Sequence, residues 1–250
     1  MKHIAKILGI LSLLAWSTTL GYAGTHPTEE VEVSRKIERE FKALPNIKVD
    51  LKNKYGRVEI QSWKQEMVKV EIEIIASGNS REQANSTLDR VEIVRRETES
   101  YFSAVTEYRS AKSSGGGFLS KLQNAFTDTR ATFAGSDNLN VKVNYKITIP
   151  EEAQLELEHK FGNVVLASLW GKAKIDLAHG NLQAYALHGR DSELKFSYGD
   201  AEIRSVNELA VNAKFAKIYL EDAKEIRWEG VSSELQLVSG QSIELLESKK

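Results

Sequence analysis

The chain has 250 residues, with 34 basic and 35 acidic side chains, a formal net charge of −1 and no cysteine. The absence of cysteine excludes disulfide bonds and the thioether anchor of a bacterial lipoprotein. The near balance of charge gives no reason to expect a nucleic-acid partner.

Residues 1–23 have the pattern of a cleavable secretory signal peptide. Lys2 and Lys6 precede the apolar run 7–16, and Gly21 and Ala23 supply small residues at the two positions that a signal peptidase reads. The alternative is a membrane anchor, but this run is well short of the roughly 20 apolar residues that a spanning helix needs. The pattern predicts export, followed by an N-terminal linker at 24–44.

Residues 45–150 are predicted to form a β-rich portion with one short helix. The segment "IKVDLKNKYGRVEIQSW" from Ile47 places Tyr55 and Gly56 before alternating apolar residues. Ser80 and Gln83 have the spacing of a capping box at the start of a helix. Alternating or apolar runs predict strands at 68–76, 91–97, 101–108 and 139–150.

A glycine-rich segment interrupts this portion at 109–138, and its composition predicts a flexible insertion. Four apolar residues inside it fall on one side of a possible helix of two to three turns: Phe118, Leu119, Leu122 and Phe126. The two interpretations are a lid over the remaining fold and a docking helix for a membrane surface or partner.

Residues 151–250 contain a repeat. "LEHKFGNVVLASL" from Leu157 aligns with "IDLAHGNLQAYAL" from Ile175, "LKFSYGDAEIRSV" from Leu194 and "VNAKFAKIYLEDA" from Val211, so the starts lie 18, 19 and 17 residues apart. A degraded fifth copy begins near Ile226. The segment from Ile47 has the same pattern and is predicted to be an additional copy.

A repeat of about 18 residues is too small to enclose a core alone and must stack on its neighbours. We therefore predict an all-β protein whose repeats form a right-handed parallel β-solenoid. The alternative is an antiparallel β-sandwich, whose strands also recur between turns. Gly162, Gly180 and Gly199 are expected at positive φ in the turns.

The residue before each repeat glycine, or before the alanine that replaces it, is aromatic, and these residues are the candidate binding residues: Phe161, His179, Tyr198 and Phe215. Stacked above one another in the core, the rings would stabilise the fold through ring contacts. Stacked on the surface, they would form a platform for sugar rings or for apolar side chains of a partner. The pattern does not distinguish the two.

No catalytic or metal-binding motif is present. Carboxylates such as Glu156, Asp176, Glu193 and Glu202 alternate with apolar residues, which indicates a solvated strand face more than the carboxylate pair of a glycosidase. The histidines lack the close spacing of a zinc motif, so neither a metal nor a cofactor is expected.

The segments "NKYGRVEI", "VKVEIEI" and "VNYKITIP", with the serial Gly-x-apolar-x-apolar pattern, resemble bacterial envelope families named "putative adhesins" or domains of unknown function. The resemblance covers roughly 45–250. It implies an exported β-solenoid without established catalytic residues. We expect a non-enzymatic adhesion or interaction module in the periplasm, on the outer-membrane surface or outside the cell. Its partner would be an envelope protein or a surface glycan. The alternatives are a polysaccharide-binding or polysaccharide-cleaving β-helix and a component of envelope-stress signalling.

Overall fold

A computed structural model describes residues 30–109 and 140–246. The predicted signal peptide lies outside the described residues, as do nearly all of the insertion 109–138 and its docking-helix residues Phe118, Leu119, Leu122 and Phe126. The described elements are β1 (Val31–Lys42), β2 (Lys48–Asn53), β3 (Val58–Trp63), β4 (Met67–Gly78), α1 (Arg81–Asp89), β5 (Val91–Glu97), β6 (Tyr101–Tyr108), β7 (Val141–Pro150), β8 (Gln154–Lys160), β9 (Val164–Leu169), β10 (Ala173–Ala178), β11 (Leu182–Leu187), β12 (Ser192–Val231) and β13 (Glu234–Leu245).

The strands join into one mixed sheet in the order β1-β4-β7-β3-β9-β11-β12-β10-β8-β2-β6-β5, with β13 beside β12. Antiparallel pairs occur at both ends of this order, between β1 and β4, β4 and β7, and β5 and β6. The pairs between them are parallel.

Consecutive copies of the repeat pair with each other in the predicted register. Leu157 lies opposite Ile175, and Ile175 lies opposite Leu194. On the other side of the turn, Leu182 lies between Val164 and Ala201. Successive copies can pair in parallel because each copy brings the chain back beside its own starting strand. Equivalent residues of neighbouring copies then lie opposite each other, one strand spacing apart.

The copy near residue 50 pairs directly with the copy near residue 157, although about a hundred residues separate them. Leu51 lies opposite Leu157, and Val58 lies opposite Val164. The intervening strands extend the sheet beyond this first copy, because β6 pairs with β2 and β7 pairs with β3.

The all-β class is confirmed, but the finer predictions need correction. The structure is one large mixed sheet and not a closed solenoid. One parallel ladder contains β10 and the other contains β11, and β12 joins them because it pairs with both strands. At their other ends, the two ladders continue into antiparallel strands. An antiparallel sandwich is also wrong, since the repeats pair in parallel. Residues 31–42, expected to belong to a linker, form β1, which pairs with β4 along its whole length.

The apolar repeat positions form the core. The first pair after each turn is buried, as in Val164 with Leu166 and Ile218 with Leu220. Alternation with period two directs these side chains inward and their polar neighbours outward. The capped helix is also present, because the Gln83 backbone N–H donates to the Ser80 hydroxyl at 3.2 Å. This helix is nine residues long, and no helix in the described ranges has the length and apolar character to cross a membrane.

Candidate binding surface

The rings that precede the repeat turns form one continuous stack, which we call the aromatic column: Tyr55, Phe161, His179, Tyr198 and Phe215. Successive ring centroids are 5.5, 4.9, 4.7 and 5.2 Å apart, with interplanar angles of 25°, 9°, 2° and 12°. These are near-parallel stacked contacts at favourable separations. The structure therefore brings together the four candidate residues predicted from the repeat and adds Tyr55 from the first copy.

The aromatic column lies on the outer surface. The exposed fractions of Phe161, Tyr198 and Phe215 are 44, 50 and 53%. His179 is also exposed, whereas Tyr55 is half-buried. The rings stack face to face along the direction in which the copies follow one another, so the inner members present ring edges to solvent and not ring faces.

The left-handed backbone conformation in each turn belongs to the ring residue. The φ angles of Phe161, His179, Tyr198 and Phe215 lie between 51° and 58°. The prediction that Gly162, Gly180 and Gly199 have positive φ is therefore wrong, since none of them does. Only in the first copy does the glycine take this role, because Gly56 has a φ of 109°.

The repeat glycines are required for a different reason, the close approach of successive turns. A Cβ atom added to Gly180 would lie 1.9 Å from the carbonyl oxygen of Gly162, and one added to Gly199 would lie 2.0 Å from that of Gly180. Gly162 stands in the same relation to Gly56, at 1.8 Å. These distances leave no space for a side chain, so the glycines allow the turns to stack closely enough for the rings to touch.

A short ladder of polar side chains runs beside the column, one residue after each glycine. The Asn163 side-chain oxygen accepts a hydrogen bond from the backbone N–H of Asn181 at 3.1 Å. The Asn181 side chain in turn accepts one from the backbone N–H of Asp200, also at 3.1 Å. Each amide thereby holds the next turn in place. The repeated Asn or Asp after glycine was the signal in the sequence that could have revealed this ladder.

The first end of the column is closed by neighbouring groups. The Tyr108 ring meets Tyr55 edge-on, with centroids 5.9 Å apart, and the Lys54 ammonium lies 5.0 Å from the Tyr55 centroid.

Beneath this end, the fully buried His159 contributes its Nε2 atom to a 3.0 Å hydrogen bond with the carbonyl oxygen of Gly56. Because a carbonyl only accepts, Nε2 is the donor. Burial lowers the pKa of His159. The histidine is therefore held neutral beneath the first turn.

A second outward surface lies on β11 and β12 and was not predicted from the sequence. Tyr185 is 57% exposed, and the Arg204 guanidinium stacks 5.2 Å from its ring centroid. Arg204 also pairs with Glu221 at 3.2 Å. A groove of about 380 Å³ runs beside these side chains and is bordered by Gln183 and Glu202. In the sequence, Tyr185 lies between the core residues Ala184 and Ala186, and this alternation could have indicated that its ring points outward.

The four carboxylates considered for catalysis are dispersed along the strand faces. Glu156 accepts from Lys48 at 2.9 Å, and this hydrogen bond lowers the pKa of Glu156. Glu193 pairs with Lys172 at 3.3 Å. Asp176 and Glu202 are exposed.

A buried carboxylate lies beside Glu156 on the neighbouring strand and was not among the residues predicted from the sequence. Asp50 lies opposite Glu156 in the register of β2 and β8. Burial raises the pKa of Asp50. The Tyr101 hydroxyl donates to one of its oxygens at 3.2 Å. Asp50 is only 9% exposed, so a substrate has little access to it.

Comparison with known proteins identifies no family. No family model matches the chain, and no curated protein matches it. Solved structures with partial likeness include a "putative cell adhesion protein" from Clostridium sporogenes, with 13% identity and a TM-score of 0.33 over 85% of this chain and 100% of the other. A "putative adhesin" from Bacteroides fragilis has 13% identity and a TM-score of 0.28, covering 85% of this chain and 97% of the other. Another from Parabacteroides merdae has 13% identity and a TM-score of 0.26, covering 86% and 96%. Likeness this low indicates neither a shared fold nor a shared function.

Proposed function

We propose that this chain is a non-enzymatic, exported envelope protein that serves as an adhesion or interaction module, and that the aromatic column is its binding surface. The observation that carries the proposal is the exposure of about half of each of three stacked aromatic rings, Phe161, Tyr198 and Phe215. Large apolar side chains arranged contiguously on a surface are typical of sites that bind a partner or ligand.

The backbone supports the same proposal. A bulky residue in the left-handed region costs roughly 1–2 kcal/mol. Four residues of the column carry this cost. Strain of this kind persists where the surrounding structure imposes it and often accompanies function. Placing glycine or asparagine at these positions would relieve the strain, but it would remove the exposed rings.

The partner class that we propose is a surface glycan or an apolar segment of an envelope protein. The groove beside Tyr185 favours the glycan, because an exposed ring next to amide, carboxylate and guanidinium groups combines stacking with hydrogen bonding.

The test removes two rings without disturbing the turn. Phe161→Asn combined with Tyr198→Asn keeps residues that tolerate left-handed φ. We expect binding to a bacterial glycan array, or to purified envelope, to fall at least about tenfold relative to the unmodified protein, as expected for the loss of several aromatic contacts. Tyr219→Thr, which removes an exposed ring outside the column, is the matched control and should bind normally.

Thermal unfolding followed by circular dichroism should show that both variants are folded. Unchanged binding by a folded double variant would contradict the proposal that the column is the binding surface.

A second candidate function is cleavage of a polysaccharide. The adjacent carboxyl groups of Asp50 and Glu156, whose pKa values shift in opposite directions, are the pair that would carry it, and this function would require Asp50 to become more accessible than its 9% exposure. Glycosidases use such a pair. Release of reducing ends from a polysaccharide, lost in Asp50→Asn, would replace the proposal of a non-enzymatic module. Binding without any product supports the module.

A further inference from the structure

The aromatic column ends at Phe215, and this end differs from the rest of the column. The inner rings have a ring neighbour on each face: Phe161 lies between Tyr55 and His179, and Tyr198 lies between His179 and Phe215. A flat ligand cannot reach those faces without separating the stack.

The position that follows Phe215 in the column is Ser232, seventeen residues later. Ser232 has a φ of 49°, close to the 51° of Phe215, so the turn is repeated without the ring. Within residues 30–109 and 140–246, Tyr198 is the ring neighbour found for Phe215. The second face of the Phe215 ring therefore adjoins Ser232. The backbone of Ser232 would direct a ring onto this face, but its side chain is only a hydroxymethyl group.

The spacing of the column indicates what fits there. Its rings repeat at 4.7 to 5.5 Å, within the range for stacked aromatic pairs, so the open position next to Phe215 has room for one more ring of similar thickness. Ser232 is exposed and supplies a hydroxyl group that can both donate and accept a hydrogen bond. An apolar face bordered by a hydroxyl group suits a sugar ring, which has C–H groups on its faces and hydroxyl groups around its edge.

The charges beside this end favour an acidic sugar. Lys214 immediately precedes Phe215 and is exposed, and the residues at the same position of the adjacent copies, Ser197 and Val231, are uncharged. Lys217 follows two residues after Phe215 and lies opposite Glu234 in the register of β12 and β13, so its charge has a nearby carboxylate. Glu234 also accepts a hydrogen bond from Gln236 at 2.7 Å. Lys214 has an uncharged residue at its position in both adjacent copies, whereas Lys217 has Glu234 opposite it. Lys214 is therefore the lysine that is better placed to meet a ligand carboxylate.

We propose that the outer face of Phe215, with Ser232 and Lys214, binds one pyranose ring of a uronic-acid polysaccharide. The ring stacks in the position that Ser232 leaves open, and the uronate carboxylate pairs with Lys214. This inference rests on the proposed function and makes it more specific, because it assigns ring-face recognition to the end of the column.

The deciding variant is Ser232→Phe. It leaves every residue of the aromatic column in place and supplies a ring from the protein itself, at a φ that the other rings already adopt. We expect it to be folded and at least as resistant to heat as the unmodified protein, because it adds a stacking contact. We also expect it to lose about tenfold in affinity for polygalacturonate, measured as retardation in affinity gel electrophoresis.

Two further variants complete the test on the full chain. Phe215→Asn removes the platform and should also weaken retardation about tenfold, whereas Lys214→Gln should weaken it about threefold and reduce its dependence on salt. Ser232→Asn is the control, because asparagine tolerates the left-handed φ, keeps a hydrogen-bonding group and supplies no ring; it should bind as the unmodified protein does.

The outcomes separate this inference from the proposed function. Loss of retardation in Ser232→Phe, with normal retardation in Ser232→Asn, supports the site. Normal retardation by folded Ser232→Phe overturns it, even if Phe161→Asn with Tyr198→Asn abolishes envelope binding and so upholds the column as a surface. Equal retardation by neutral hydroxyethylcellulose overturns the assignment to an acidic sugar.

Discussion

At the scale of single residues, four of the five rings of the aromatic column, all except Tyr55, combine a cost with a gain of similar size. The left-handed conformation costs roughly 1–2 kcal/mol, and each ring contact contributes about 0.5–1.5 kcal/mol beyond the burial of area. For an inner ring such as Tyr198, two contacts offset the strain without a large surplus. Stability alone therefore gives little reason to place rings here, which is consistent with a role in binding.

His159 provides a prediction about pH at the same scale. Its pKa is lowered by burial, so the unfolded chain takes up a proton more readily than the folded protein. Stability is then fully present above the ordinary histidine pKa of about 6.5 and falls as the pH drops below it. We expect the free energy of unfolding in urea to fall more between about pH 7.5 and pH 5.5 for the unmodified protein than for His159→Gln, which keeps an N–H donor for the Gly56 carbonyl.

Other buried groups also contribute to the pH dependence of stability, so the difference between the two profiles isolates His159. Burial raises the pKa values of Asp50 and Glu158, so their contribution to stability is lost as the pH rises above their ordinary values, the opposite direction to His159. Both carboxyl groups are present in both proteins and cancel in the difference. Parallel pH profiles for the two proteins would show that His159 is not held neutral by the fold.

At the scale of the elements, the parallel ladders depend on how closely their turns approach. Gly180 lies between β10 and β11, and a Cβ atom there would meet the backbone oxygen of Gly162 at 1.9 Å. We expect Gly180→Ala to lower the free energy of unfolding by about 3 kcal/mol, the upper range for overpacking, because a backbone atom and not a side chain must move. Urea denaturation followed by circular dichroism measures the change.

Gly240 in β13 offers a matched control. A Cβ atom there would come closest to the Leu237 Cδ2 atom, at 2.6 Å, which is the end of a flexible side chain. Gly240→Ala should therefore cost less than about 1 kcal/mol. Equal effects of the two substitutions would contradict the close approach of successive turns.

At the scale of the whole molecule, the protection of the backbone should decrease along the sheet toward its C-terminal strand. β10 is paired on both sides, by β8 and β12, and its alternate side chains are buried. β13 pairs with β12, and the described part of the chain provides no strand on its other side; its side chains are exposed or half-buried. Exposed hydrogen bonds with few buried contacts open most readily.

Hydrogen–deuterium exchange tests this gradient. Peptides that cover Glu234–Leu245 should exchange considerably faster than peptides that cover Ala173–Ala178. Exchange measured over a series of protein concentrations provides the control, because the gradient should not depend on concentration for a free strand edge. Equal protection of the two strands at low concentration would contradict it.

The repeat, its period and the direction of its side chains followed from the sequence alone. Alternation with period two assigned Val164 and Leu166, and their counterparts, to the core, and each copy carries the same pattern, so strand positions and register could be derived locally. The match between "NKYGRVEI" and "HKFGNVVL" likewise predicted an additional copy, which pairs with the next copy across a hundred intervening residues.

Three features were decided by tertiary structure. The repeat pattern was compatible with a closed solenoid, but how the ladders join depends on β12 and on the antiparallel strands at both ends, which are outside the repeat. The left-handed conformation belongs to the ring residue and not, as predicted, to the glycine after it. The glycine is needed because neighbouring turns approach too closely to leave space for a Cβ atom, which the sequence of a single turn does not show. The outward direction of the aromatic column was also decided by the folded structure, since the alternating apolar residues of the strands on both sides of each turn fill the core and leave the ring residues of the turns outside it.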